Sequence, residues 1–563
     1  MKRREFLGVS GVTLATGLFG SGAIVGGVRL FGQAPAGNGT LVDTGSGRIR
    51  GNAGSGVLSF KGVPYGGSTA GANRFMPPLA PTPWTGVRDA LALGPRAAQP
   101  SRPMVREIGD ALTGTGPMSE DCLTLNVWTA SADRAANRPV MVWFHGGGQR
   151  TGSGNSVFYD GAELARKHGV VVVTVNHRLN VFGNLYLADV LGGRYVQSSN
   201  MGMLDIVQAL QWVRDNIAGF GGNPGNVTIF GQSGGGGKTA LLQAMPSAKG
   251  LFHRAIVMST LADTAITALE PAEAAAATEQ FLARIGVTRA NPERLQQLTP
   301  EEILVALTGG TGRAGGQAGI AAPAGDLSLR LTPVMDGRTL TVHPFEPGAS
   351  PLAADIPIMC GSNETEGVPY GNPDDAFWKG ELTTEAELRA TVRRIARVED
   401  AEADRLIALY RKNRPTDSIA DLALVMAADN SPLRTSSYTI AERKLAQGRA
   451  PVFMYFFRWR SPVNNGKLRS MHCMELPFVF DHVDAVPFMN GTGRDRYALA
   501  TAMAEAWASF ARSGNPNHPG LPNWPAFTTA QRATMVFNTE SRVVNDPYGE
   551  ERRAMQALRE RRG

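Results

Sequence analysis

The chain has 563 residues, 43% hydrophobic and 19% charged, with a formal net charge of +7. That is the composition of a large globular protein and excludes a disordered or fibrous chain. Four basic residues and one acidic residue fall within the first 36, leaving +4 on the remainder, too modest a charge to imply a nucleic-acid partner. Cys122, Cys360 and Cys473 are the only cysteines, with neither disulfide framework nor metal-ligand spacing.

Arg3-Arg4-Glu5-Phe6-Leu7, a glycine-rich apolar stretch and Ala34-Pro35-Ala36 read in that order as a twin-arginine export signal over residues 1–36. Cleavage after Ala36 then delivers the protein to the periplasm or beyond. Arg29 and the glycines make a poor spanning helix, and no later segment is long and apolar enough to span. No stable membrane insertion is expected once the signal is gone.

Residues 37–563 read as one catalytic domain. Gly47-Arg-Ile-Arg-Gly51 and the stretch from Val57 to Tyr65 turn and alternate like small antiparallel strands. Extended apolar runs follow at 123–128, 139–144, 170–175, 227–230, 255–258, 356–359, 452–457 and 534–537. Helical segments separate them, including 204–217. This alternation predicts an α/β fold: a large, mostly parallel sheet with helices on both faces. An Ala- and Glu-rich insertion over 269–325, ending in glycines, interrupts the pattern and is expected to cap a pocket. The mixed-charge tail, 550–562, reads as a solvated terminal helix.

The chemistry centres on Ser233. Val227-Thr-Ile-Phe-Gly-Gln-Ser-Gly-Gly-Gly236 runs a buried strand into Gly-x-Ser-x-Gly and then a helix, the form of a nucleophile elbow. With 67 glycines, that pattern surrounds any one serine by chance about 1% of the time, so the strand-turn-helix context carries the signal. A serine needs a base, and the base a carboxylate. The chain order nucleophile, acid, histidine excludes His145, His168 and His177. Among the later histidines, His472 and His482 lead, and a Cys473 thiol nucleophile lacks an elbow. Glu364 and Glu366, after the strand at 356–359, are rival acids. His145-Gly-Gly-Gly148, directly after a buried strand, suits an oxyanion loop, because glycines let amides approach a tetrahedral oxygen.

Together these residues resemble the type-B carboxylesterase family, the α/β-hydrolases that include para-nitrobenzyl esterases and cholinesterases. The resemblance runs from about Leu41 to about Phe527. It rests on Phe60-Lys-Gly-Val-Pro-Tyr65, Arg74-Phe-Met-Pro-Pro78, Ser119-Glu-Asp-Cys-Leu-Thr-Leu-Asn-Val-Trp128, Asn200-Met-Gly-Met-Leu-Asp205, Phe220-Gly-Gly-Asn-Pro224 and Gly514-Asn-Pro-Asn517, besides the elbow and the glycine loop. It implies Ser233 as nucleophile, Glu366 as acid and His472 as base, with amides of Gly147, Gly148 and Gly234 as oxyanion donors. It also implies structural ion pairs Arg74–Glu120 and Arg178–Asp205, no metal or organic cofactor, and a small-molecule ester as substrate. The chain departs from the family at Gln232 (usually Glu), Gly234 (usually Ala), Gln149 (often aromatic) and Ala97, where the disulfide partner of Cys122 is expected. A free Cys122 thiol follows. A silent binding protein of the same fold, or a hydrolase of amides, carbamates or polyesters, are the alternatives. Nothing in the sequence specifies an oligomeric state.

Overall fold

Short runs of Val, Ile, Met and Phe that are buried on both faces build the centre of the protein. The computed structural model describes residues 39–100, 106–114, 116–261, 268–308, 329–367 and 376–561. The export signal expected over 1–36, and the glycine stretch from Gly309, lie outside them. From Gly39 onward the chain forms one compact unit.

Eleven strands make the main sheet: β1 (Asn52–Gly54), β2 (Val57–Pro64), β3 (Thr124–Thr129), β4 (Arg138–Phe144), β5 (Val171–Val175), β6 (Gly222–Gln232), β7 (Arg254–Met258), β8 (Ile358–Asn363), β9 (Val452–Phe457), β10 (Ala533–Phe537) and β11 (Arg542–Asn545). Their spatial order is β11-β10-β9-β8-β7-β6-β4-β5-β3-β2-β1. The run from β5 to β10 is parallel throughout. The pairs at either side of that run are antiparallel. The stretch from Val57 therefore joins the main sheet as β2, whereas Gly47–Arg50 pairs with Leu41–Thr44 and Val87–Asp89 in a small separate sheet.

The period-two alternation of the strands sends side chains to two cores. Val140, Val142 and Phe144 of β4 pack with Val227 and Ile229 of β6, and with Ile206 and Leu210 of helix α1 (Met201–Asn216), on one face. Met141, Trp143 and Phe230 face the other way. They share a core with Met503 and Trp507 of α3 (Asp495–Ser513), the helix numbered after α2 (Gly234–Leu242). Chain order reverses between β4 and β6: β5 lies on one side of β4 and β6 on the other. In open parallel sheets such a switch point opens a crevice at the carboxyl ends of the strands. Both the glycine loop after β4 and Ser233 after β6 leave the sheet there.

The expected insertion contains helices Pro271–Arg284 and Pro300–Leu307, each opened by a capping box, at Glu270 with Glu273 and at Thr299 with Glu302. Phe281, Ile303 and Leu304 pack with Phe75, Val181 and Phe182 in a separate apolar cluster. Arg74 clamps Glu120 through two contacts of 2.6 Å and donates to the carbonyls of Leu295 and Leu298, tying this region down. The Arg178–Asp205 pair is also two-pronged, at 2.9 and 2.6 Å, and fully buried.

The terminal helix α4 (Gly549–Glu560) is not simply solvated. Met555 and Leu558 are buried, and Glu551 is wholly inside, paired with Arg414 at 3.0 Å. Its mixed charges hid an apolar stripe spaced at helical intervals. Cys122 is a free, buried thiol, as the absence of a partner at Ala97 implies.

Candidate active site

The elbow arises where β6 meets α2. Ser233 takes φ +58° and ψ −124°, a conformation that a residue with a side chain occupies only when its surroundings enforce it. Its amide donates to the Met258 carbonyl of β7 at 2.9 Å, and its carbonyl accepts from the Gly237 amide at 3.0 Å and the Thr260 hydroxyl at 2.7 Å. Glycine is demanded on both sides. A Cβ on Gly235 would lie 1.9 Å from the Phe144 oxygen, and one on Gly231 would lie 2.4 Å from the Gly235 carbonyl.

The glycine loop leaves β4 and wraps around this turn. Gly147 and Gly148 have φ of +94° and +66°, and the Gly147 carbonyl is turned to the amides of Arg150 and Thr151. Gly148 presses on Gly234 so closely that a Cβ there would meet the Gly148 oxygen at 2.2 Å. That contact is a physical reason for glycine where the family usually has alanine. Gly147, Gly148 and Gly234 are thus brought together at the switch point. Gln149 follows, its carbonyl held by the Asn180 amide at 2.7 Å.

On the other side, β8 ends at Asn363 and turns back. The Asn363 amide donates to Glu366 Oε1 at 2.6 Å, and His472 Nδ1 donates to Glu366 Oε2 at 2.5 Å. Both side chains are fully buried. The Thr365 amide bonds the Ser470 carbonyl at 3.1 Å, which ties the loop bearing Glu366 to the loop bearing His472. Glu364 points elsewhere, to Arg414, Arg458 and Arg460 at 2.8, 2.7 and 3.0 Å. Burial alone would raise its pKa, but the three guanidiniums hold the carboxyl down, to about 2. His482 lies against the Phe480 ring, with centroids 5.7 Å apart, outside the Glu366–His472 pair.

Gln232 joins the two sides. Its amide nitrogen is 3.1 Å from His472 Nε2 and 3.3 Å from Nδ1, a near-equal separation that places it over the ring face rather than in the ring plane. The Cys473 thiol donates to Gln232 Oε1 at 3.3 Å, which fixes the amide's orientation. Gln232, Ser233 and Cys473 line one small cavity, closed by Gly147, Leu112 and Tyr159. Behind it, Asn363 Nδ2 donates to the Met471 carbonyl at 2.8 Å and to Glu475 Oε2 at 2.5 Å. Burial, then the nearby Glu366 charge, pushes the Glu475 carboxyl up to about 7. Asn363, Glu475 and the buried Lys238 of α2 escaped the sequence reading. Their only signal there is a polar residue inside an otherwise apolar strand or helix.

A strained serine, a carboxylate-bound imidazole and clustered glycine amides at one switch point suit acyl transfer. The Carboxylesterase family profile matches residues 38–556. The para-nitrobenzyl esterase of Bacillus subtilis is 33% identical over 521 residues, covering 92% of this chain and 98% of that protein. Among solved structures, a carboxylesterase of Geobacillus stearothermophilus is similar at 37% identity and a TM-score of 0.74, covering 92% of this chain and all of that one. A Clostridium hathewayi esterase described as hydrolysing aliphatic aromatic polyesters is similar at 32% identity and a TM-score of 0.77, covering 92% and 98%. The architecture, the match along nearly the whole chain and the named esterases agree: this protein belongs to the carboxylesterase family and is an α/β-hydrolase of carboxylic esters.

Proposed function

We propose that Ser233 is the nucleophile, His472 the general base and Glu366 the carboxylate that orients it, acting on small-molecule esters. The observation that carries this reading is the buried 2.5 Å contact between His472 Nδ1 and Glu366 Oε2. With Nδ1 committed as donor, Nε2 is left as the basic nitrogen.

In the first half-reaction Nε2 takes the Ser233 hydroxyl proton while Oγ attacks the ester carbonyl carbon. The carbonyl oxygen becomes an anion and receives the amides of Gly147, Gly148 and Gly234. Collapse breaks the bond to the alcohol oxygen, which leaves with the proton held on His472. Water, deprotonated by the same Nε2, then attacks the acyl-serine, and collapse returns the proton to Ser233 and releases the acid. Each lost oxyanion donor costs about 3–4 kcal/mol of barrier.

Turnover of para-nitrophenyl acetate and butyrate by Ser233→Ala tests the assignment. Activity drops by several orders of magnitude if Ser233 is the nucleophile, and turnover equal to wild type refutes it. Among the described residues no helix is long and apolar enough to cross a membrane. Residues 1–36 act in this reading as a twin-arginine export signal, supported by Arg3, Arg4 and the Ala34-Pro35-Ala36 site. Cell fractionation of an Arg3→Lys, Arg4→Lys variant checks it: retention in the cytoplasm is expected, and unaltered export refutes the twin-arginine route.

A further inference from the structure

Lys238 is an anomaly in the first helix after the nucleophile. Its side chain is wholly buried, and Nζ donates to one acceptor, the carbonyl of His145, at 2.9 Å. No carboxylate lies within ion-pair distance of it among the described residues. An uncompensated buried ammonium costs several kcal/mol, and a neutral donor would satisfy one carbonyl more cheaply. Lys444, another buried lysine, shows the contrast: it reaches the carbonyls of Ala353 and Ala354 and the Gln447 side chain, away from Ser233.

The carbonyl that Lys238 holds belongs to His145, the first residue after β4 and the start of the glycine loop. Helix α2 also begins at Gly234, whose amide is assigned to the same loop's task. One side chain therefore ties the two sources of oxyanion donors together, from behind.

We propose that Lys238 is a positioning residue of the oxyanion site: its ammonium fixes where residues 146–148 leave β4 and sets a positive charge behind the amides that receive the tetrahedral oxygen. This rests on the assignment of Ser233 and its oxyanion donors above. The charge opposes nothing in the resting enzyme and gains a counter-charge only when the carbonyl oxygen becomes an anion, so it favours the transition state over the ground state.

The groups packed around Lys238 leave this charge unneutralised. His145 and His177 stack at 4.9 Å, and each ring Nδ1 donates to a carbonyl, of Gly146 and Arg178 respectively, at 2.8 Å. Burial, and then the Lys238 charge, holds both well below the ordinary histidine range, so both are neutral. Arg178, next to His177, is matched by Asp205 of α1. The remaining ionisable groups of the site engage partners other than Lys238: Glu366 bonds the His472 imidazole, and Glu475 accepts from Asn363. Burial lowers Lys238 itself to about 7, so its proton is lost as pH rises above neutrality. The helpful charge is present below that pH and fades above it.

Lys238→Met keeps the length and removes the charge. Measuring kcat and KM for para-nitrophenyl butyrate from mildly acidic to alkaline pH, with melting temperature and phosphonylation of Ser233 by a fluorophosphonate, tests the proposal. The wild-type kcat is expected to decline on the alkaline side of neutrality as Lys238 deprotonates. In Lys238→Met that decline disappears, and kcat near neutrality falls about tenfold with KM little changed. Its melting temperature stays level or rises, because a buried charge has gone. Wild-type kcat and an unaltered alkaline limb in the variant overturn the proposal. So does a lower melting temperature with the limb retained, which marks a purely structural lysine. Failure of wild-type protein to be phosphonylated at Ser233 removes the nucleophile assignment instead.

Discussion

The two walls flanking Ser233 are built by opposite means. The wall bearing Glu366 and His472 is held by side chains: Glu364 gathers Arg414, Arg458 and Arg460, and Arg414 reaches on to Glu551 of the terminal helix. The wall proposed to receive the oxyanion, built on Gly147, Gly148 and Gly234, has almost no side chains. It is backbone against backbone at Gly148 and Gly234, with the buried Lys238 bonded to the His145 carbonyl at the root of the loop. The difference follows from the task. A base has to be aimed, which takes a network of directional contacts, whereas amide donors have to approach, which takes the absence of Cβ atoms.

Within the first wall, two glutamates two residues apart divide the labour between chemistry and stability, and separate variants split them. The largest effect is expected from Glu366→Gln. It leaves the packing in place but no longer fixes the imidazole tautomer, and kcat falls about 10⁴-fold with little change in melting temperature. Steady-state kinetics beside a thermal melt check this, and a variant that melts early but turns over normally contradicts it.

Glu364→Gln should do the reverse. Removing the carboxylate takes the one carboxylate partner of Arg458 among the described residues and weakens the pairing of Arg414 and Arg460, which keep Glu551 and Asp417. It costs about 3–5 kcal/mol of stability, while kcat of the folded fraction changes little. The pH dependence has a definite sign. Because the folded carboxyl is held near 2 against an ordinary 4.5, its stabilisation is complete above the ordinary value and is lost as pH falls toward about 2. Denaturant unfolding of the variant should therefore show a shallower loss of stability across that acid window than the wild type. Equal slopes would detach Glu364 from acid stability.

The smallest effect concerns the residue that bridges the two walls. Gln232→Glu places a carboxylate over the His472 ring, where it favours the imidazolium. The acidic limb of the kcat/KM profile is expected to move to higher pH by about one unit. An unmoved profile would show that the amide's position over the ring carries no electrostatic weight.

Much of this arrangement was legible in the sequence. The elbow and the glycine loop are continuous motifs whose spacing reflects one local turn each, so Ser233, Gly147 and Gly148 stand out without coordinates. The buried parallel strands announce themselves as β-branched runs, offset by a residue or two at their ends, and β6 extends further toward its start than its apolar core suggests. Residue pattern alone left Glu364 against Glu366, and the family resemblance favoured Glu366; for the base, chain order and local context already set His472 ahead of His482, and the resemblance agreed. The terminal helix was misread because Glu551, Met555 and Leu558 sit among exposed arginines, and a stripe that narrow is hard to distinguish in a charged tail.

By itself the sequence determined the fold class, the nucleophile turn and the glycine loop, because strand alternation, helix periodicity and tight turns are properties of neighbouring residues. Tertiary structure alone decided which glutamate meets the imidazole, why Gly234 admits no side chain, and that Lys238 ends beneath the His145 carbonyl. Those outcomes depend on distances between segments 86 to 106 residues apart in the chain. No local pattern encodes them; the packing of β4, β6, β7 and β8 side by side does.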